Sequence, residues 1–325
     1  MFSRIFRDKP LVLFVTFAAL GLGAPFAACS SSTDREVSGF GPDGGKDKED
    51  GQVTTVVEDD SGVSESGCSE AAKLVYVVSR QKQLYSFDPA SLKFKSIGLL
   101  DCDAGPMTPN SMAIDRQAIA WVSYEDGSLF KVDTKDASCT STTFKTGQHG
   151  FGRMGMGFST NGTDSKDETL YVVGIDNAST TVKGQGLGKI DLQTLKLDVI
   201  GDFTDGLKGT APELTGTGDG RLFGFFTTTP ARVGEISKTN AATPNSDVLT
   251  GVKTGAAWAF SFWGGDFWFY TAEASTNPLD PFPKSSKVTQ LKASGDGSLA
   301  VVVPDVGFTI VGAGVSTCAP VGPIL

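Results

Sequence analysis

The chain has one histidine in 325 residues, and that scarcity removes a class of chemistry. Catalysis of the Ser-His-acid kind needs an imidazole oriented by a third group. His149 stands in the glycine-rich run TGQHGFGRMGMG with no G-x-S-x-G turn anywhere to accompany it, and it reads as a loop residue. Cysteine is scarce too: the five in the chain show none of the spacings of a metal site. A basic excess is missing, since 28 Lys and Arg face 37 Asp and Glu for a formal net charge of −9. Such a surface does not hold nucleic acid or anionic lipid by charge, so no nucleic-acid partner is expected. A long apolar run is also absent, for the longest, Leu11 to Leu22, falls short of the ~20 residues a membrane span requires.

What is present is a repeat. Five runs share one column of aromatic residues: KLVYVV from Lys73, AIAWVS from Ala118, ETLYVV from Glu168, GRLFGF from Gly220 and DFWFY from Asp266. The column is Tyr76, Trp121, Tyr171, Phe223 and Trp268, with a period of 45 to 52 residues. Downstream of each lies a shorter mixed run, such as QLYSFD from Gln83 or SLFKVD from Ser128. Turn residues such as Asp126-Gly127 separate the two, which is the pattern of an antiparallel hairpin. A polar turn and a further alternating run follow, as in DPASLKFKSIG from Asp88, adding an outer strand. Ahead of each aromatic column comes an apolar run with small residues (SMAID, MGMGF, ELTGT, WAFSF) suited to close approach at an axis. Four strands per copy at this period predict the blades of a β-propeller. A β-sandwich is the competing architecture, and the even spacing speaks against it.

The first copy has no inner strand ahead of it, whereas GFTIVGAGVSTCAP from Gly307 supplies an inner strand with nothing after it. The expected fold is therefore all-β, a five-bladed propeller closed by the C-terminal strand joining the first blade, which leaves no open ends. In its PNSMAID run at Pro109 to Asp115 and its LYSFDP strand at Leu84 to Pro89, the chain resembles bacterial propellers of the NHL, YVTN and gluconolactonase-like kind. It is also similar to uncharacterised lipoproteins of myxobacteria, in which PNSMA leads to an AWV strand and a DG-L-F-K-V-D hairpin. The resemblance implies a fold and an address and attaches no reaction.

Residues 1–28 read as an export signal: basic Arg4, Arg7 and Lys9, a short apolar segment, then small residues before a cut site. Ala27 and Ala28 directly before Cys29 resemble the bacterial lipobox, although Phe26 stands where that motif usually has Leu. The resemblance implies acylation of Cys29 and a membrane partner reached through the lipid anchor. Ser30 in the next position implies the outer membrane of the cell envelope. Loss of the signal, with Arg4, Arg7, Lys9 and Asp8, takes the net charge from −9 to −11. Residues 29–67 then form an acidic Ser/Gly linker too poor in apolar residues to fold, and its GGKDKEDG run lacks the ligand spacing of a calcium loop. Residues 68–325 make the propeller.

The four remaining cysteines, Cys68, Cys102, Cys139 and Cys318, form an even set in an exported chain and point to disulfides. Cys102 follows the outer strand of the first blade and Cys139 takes the matching place in the second, so one bridge between them would tie adjacent rims. Ring closure brings Cys68 and Cys318 together for the other. A propeller site lies at the axis, where the inner strands begin; its polar candidates are Asn110, Ser111, Arg153 and Glu213, with Glu273 near the next connection. The resemblance to gluconolactonase-like propellers implies a Glu, Asn and Asp set around a divalent cation such as calcium. Here Asn110 and Glu213 alone fall in register, Gly155 and Trp258 occupying the equivalent places, so no catalytic residue, metal or cofactor is assigned. The crowded aromatics Trp258, Phe260, Phe262, Trp263, Phe267, Trp268 and Phe269 are expected to pack between blades. The favoured function is a non-enzymatic binding or scaffold protein for an envelope protein or glycan, and the alternative is a metal-dependent hydrolase or lactonase acting at the axis.

Overall fold

Around its aromatic each column run is apolar or glycine at consecutive rather than alternate positions (VYVV, IAWV, LYVV, LFGF, FWFY), the mark of a strand covered on both faces. A computed structural model of the protein describes residues 67–163, 165–176, 183–277 and 285–323. The expected signal at 1–28, the acylated Cys29 and the linker up to residue 66 lie outside the described residues. The chain divides into two units, of which the second, Glu58–Leu325, contains everything described here.

Among the described residues there are twenty strands in five antiparallel sheets of four. The first blade contains β1 (Val75–Ser79), β2 (Gln83–Asp88) and β3 (Lys93–Leu99). The second runs β4 (Pro109–Ile114), β5 (Ile119–Tyr124), β6 (Leu129–Asp133) and β7 (Cys139–Ser141), from axis to rim. The third follows as β8 (Arg153–Thr160), β9 (Glu168–Ile175), β10 (Gly184–Ile190) and β11 (Leu197–Gly201). The fourth is β12 (Glu213–Gly216), β13 (Leu222–Phe226), β14 (Arg232–Glu235) and β15 (Ser246–Val248). The fifth is β16 (Ala257–Trp263), β17 (Asp266–Ala272), β18 (Lys287–Leu291) and β19 (Leu299–Val303). β20 (Ile310–Val315) then pairs antiparallel with β1, Val75 opposite Val315 and Val77 opposite Ala313, and becomes the inner strand of the first blade. The propeller has five blades and its C-terminal strand closes the ring.

Five hydrophobic cores fill the five gaps between blades. Because side chains alternate along a strand, each second strand serves two of them. Tyr76 and Val78 of β1 pack toward the second blade, while Val75 and Val77 pack toward the fifth. The aromatic column always takes the same side: Tyr76, Trp121, Tyr171, Phe223 and Trp268 each face the next blade in order, Trp268 meeting the first blade across the closure. Phe260, Phe262, Phe267 and Phe269 fill the gap between the fourth and fifth blades, stacked or edge-on at centroid distances of 5.1–5.6 Å. The inner strands approach so closely that a β-carbon on Gly314 would lie 3.1 Å from the backbone of Ala113 and Met112 in the neighbouring blade.

Cys68 is bonded to Cys318 with Cα atoms 5.8 Å apart, and Cys102 to Cys139 with Cα atoms 5.0 Å apart. Cys139 opens the outer strand β7, whereas the matching place expected from the repeat lies after that strand. The bridge therefore fastens the connection between the first two blades to the rim of the second, where Asp101 Oδ1 also accepts the Cys139 N–H at 2.7 Å.

The first bridge closes a loop with a sequence separation of 250 residues and the second one of 37. In the chain-entropy account the longer loop stabilises by about 2 kcal/mol more. Replacing Cys68 and Cys318 together with Ser should lower the denaturant midpoint further than replacing Cys102 and Cys139. Equal losses, or the reverse order, would show that the ring holds without its clasp.

Candidate functional site

All five inner strands run in the same direction along the axis, so their first residues gather at one end and their last at the other. At the far end the C-terminal segment crosses the opening. Ser316 Oγ donates to the Ala72 carbonyl at 2.8 Å, Thr317 Oγ1 donates to Glu168 Oε2 at 2.7 Å and accepts from Arg116 Nη1 at 3.1 Å, and Gly264 N donates to the Pro320 carbonyl at 2.8 Å. Those contacts, with the Cys68–Cys318 bond, tie the segment to the first, second, third and fifth blades. The near end holds a cavity of about 620 Å³ walled by all five blades.

Asn110, Arg153 and Glu213 line this cavity, as does Trp258. Ser111 lies behind the wall, fully buried. Consecutive strand residues normally point to opposite faces, yet Asn110 and Ser111 both reach β8. The cause is a bulge: Pro109 pairs with Tyr124 and Ser111 with Ser123, leaving Asn110 as an extra residue. Asn110 Nδ2 accordingly donates to the Met154 carbonyl at 3.0 Å, while Ser111 Oγ accepts the Met156 N–H at 3.1 Å. Ser111 Oγ then donates to Glu213 Oε2 at 2.8 Å, so a single chain of hydrogen bonds joins the second, third and fourth blades. Gly155 makes room for it, since a β-carbon there would lie 2.6 Å from the Pro212 carbonyl and 3.5 Å from Glu213 Cδ.

Burial raises the Glu213 carboxyl to about 8, with the Ser111 hydrogen bond opposing that rise only in part. Burial thus favours the protonated form of Glu213 near neutral pH, with Oε2 accepting from Ser111. Arg153, the first residue of β8, is half-buried, and its side chain has no hydrogen bond, ion pair or ring contact among the described residues. Trp258 is half-buried, with one side on the core between the fourth and fifth blades and the other on the cavity. It departs in this from the inter-blade packing expected of its aromatic neighbours. Trp263 is likewise not fully buried, and its Nε1 donates to the Lys73 carbonyl at 2.9 Å.

Sequence reasoning missed Arg80, Glu125, Thr227 and Thr228 on the cavity wall. All four follow the second strand of a blade, and an antiparallel partner necessarily ends where the inner strand begins; the turn after each aromatic column was the available signal. Glu273 is elsewhere, in an exposed ion pair with Lys287 at 3.3 Å. His149 is exposed in a short turn, Gln148–Gly150, with φ of 52°. A second raised carboxyl, Glu168, lies at the closed end; burial brings it to about 7 although Thr317 and the Arg116 N–H both donate to it.

These residues do not fit a divalent cation. Among the described residues no group of three or more His, Cys, Asp or Glu side chains could hold a metal. At the axis Ser111 spends its proton on Glu213, and two arginines share the wall. This donor set does not suit calcium, which takes six to eight oxygen ligands.

No protein-family model matches the chain, and no curated protein does. Solved structures similar to it include the propeller of Dos1, at 10% identity over 76% of this chain and 71% of that one, with a TM-score of 0.42. The calcium-binding protein regucalcin of Agrobacterium tumefaciens is similar at 15% identity over 74% and 73%, with a TM-score of 0.39. Virginiamycin B lyase of Staphylococcus aureus is similar at 12% identity over 70% and 69%, with a TM-score of 0.38. Likeness of this degree says nothing about what the present chain binds or does.

Glu213 and Glu168 bind protons in the folded protein that the unfolded chain has released once the pH exceeds ordinary carboxylate values. Stability must therefore fall as pH rises from about 5 through 8, each tenfold difference in proton affinity between folded and unfolded chain corresponding to about 1.4 kcal/mol. Asp88, Asp136, Asp191, Asp296 and Asp305 are displaced the other way, mainly by hydrogen bonds to nearby Ser, Thr and backbone N–H groups. Their contribution is lost only in acid, below this window. The melting temperature should be higher at pH 5.5 than at 8.5, and Glu213→Gln should flatten the slope; an unchanged slope in that variant would place the proton elsewhere.

Proposed function

We propose that the protein is an exported, lipid-anchored component of the cell envelope that binds an envelope protein or glycan through its axial cavity without transforming it. The observation that carries this reading is the cavity itself: a pit stopped at the far end of the axis by the C-terminal segment, with a mouth shaped by residues of every blade. Its size falls within the ~300–1,000 Å³ usual for ligand pockets. Its titratable groups do not make a catalytic pair, because the buried acid Glu213 is hydrogen-bonded to a serine that is itself held by a backbone N–H. The metal-assisted hydrolase, the other function considered, lacks a fitting donor set. Export is supported by the two disulfides, which form and persist in oxidising compartments. Among the described residues no helix is long and apolar enough to cross a membrane; the attachment proposed is through an acylated Cys29.

Two measurements test the reading. Cys29→Ser should move the protein from the membrane fraction to the soluble one, and wash-resistant attachment of that variant would remove the anchor. A dialysed fraction of envelope extract should raise the melting temperature of the wild-type protein and leave that of Ala256→Trp unchanged, since Ala256 is exposed at the mouth and a Trp there would block it. An equal rise in both would move the binding surface away from the axis.

A further inference from the structure

Of the five described arginines, four have partners within the protein. Arg116 donates to Thr317, Arg221 pairs with Asp219 at 2.9 Å, Arg232 donates to Ser246, and Arg80 has a partner of its own. Arg153 is the exception among the described residues, and like Arg80 it is half-buried in the cavity wall. A guanidinium carries five donors in a planar fork matched to two oxygens of a carboxylate. Leaving it partly desolvated with no acceptor is costly unless an acceptor arrives from outside.

We infer that the axial cavity binds a small organic carboxylate, with Arg153 as the ion-pairing group. This rests on the binding role proposed above and names the chemistry of its ligand. One guanidinium on the wall whose side chain has no partner among the described residues suits a single negative charge better than the double charge of a phosphate monoester. The remaining wall suits an organic body: Trp258, Ile175 and Val311 offer apolar surface, and Thr108 and Thr227 carry hydroxyl groups that can meet polar atoms of the ligand. Glu213 is in keeping with an anion, because a protonated acid adds a donor where an ionised one would repel. The ionisable groups on the walls are Arg80, Glu125, Arg153 and Glu213, and burial raises the Glu213 carboxyl to about 8.

Calorimetric titration of the full chain with D-glucuronate against D-glucose, and with benzoate against benzamide, separates the charge from the body that bears it. At least one acid should bind, and its uncharged counterpart should bind more weakly by about tenfold or more, the equivalent of one hydrogen bond to a charged group. Arg153→Gln should abolish that preference and Arg153→Lys should retain part of it. Binding should weaken from pH 6.5 to 9.5 in the wild type and not in Glu213→Gln. Failure of both acids to bind, equal binding of the neutral compounds, or an unaltered preference in Arg153→Gln would overturn the inference. If an extract still stabilises the wild type and not Ala256→Trp, the binding role survives and the carboxylate alone is lost; if no extract does, the binding role itself falls.

Discussion

Packing between neighbouring blades is the interaction on which the rest depends. No blade has a core of its own. The four strands of each sheet are covered only because another sheet lies against either face, and the residues that do this are the alternating halves of β1, β5, β9, β13 and β17. Each aromatic in the column contributes on the order of 3 kcal/mol by burial, always against the next blade. The last of them, Trp268, is covered only when β20 has joined β1, so the C-terminal strand completes two interfaces at once.

The same closure produces the site. A ring of sheets leaves one edge of every inner strand facing the axis, where backbone groups must find partners. Ser111 answers the Met156 N–H and Thr215 the Phe262 N–H at 3.1 Å. Asn110 answers the Met154 carbonyl. These short polar side chains join blades at the axis as the apolar ones join them outside it. Glu213 enters this network at a cost: its burial is offset by one hydroxyl, so its carboxyl holds its proton more tightly than an exposed one. The far end, by contrast, is stopped by Thr317 and its neighbours. The propeller is thus polar along its axis and open at one end, which is the condition for a ligand site and not for a channel.

Much of this was legible in the residue pattern. The five-fold column of Tyr76, Trp121, Tyr171, Phe223 and Trp268 and the surplus inner strand after Gly307 determined the blade count and the closure, because a strand buried on both faces and a four-strand period leave a trace at every position. The Cys68–Cys318 pairing followed from that closure, and the placing of Asn110, Arg153 and Glu213 at the head of the inner strands followed from the repeat. Tertiary structure alone decided that Ser111 stands behind the wall, because the bulge at Asn110 moves the register of β4 by one residue and a displacement of that kind has no compositional mark. It alone placed Trp258 half in a core and half in the cavity, brought Arg80 and Glu125 to the mouth, and left the Arg153 side chain without a partner among the described residues. Those outcomes depend on distances between blades that are remote in the chain, and alternation along a strand says which way a side chain faces but not what it meets.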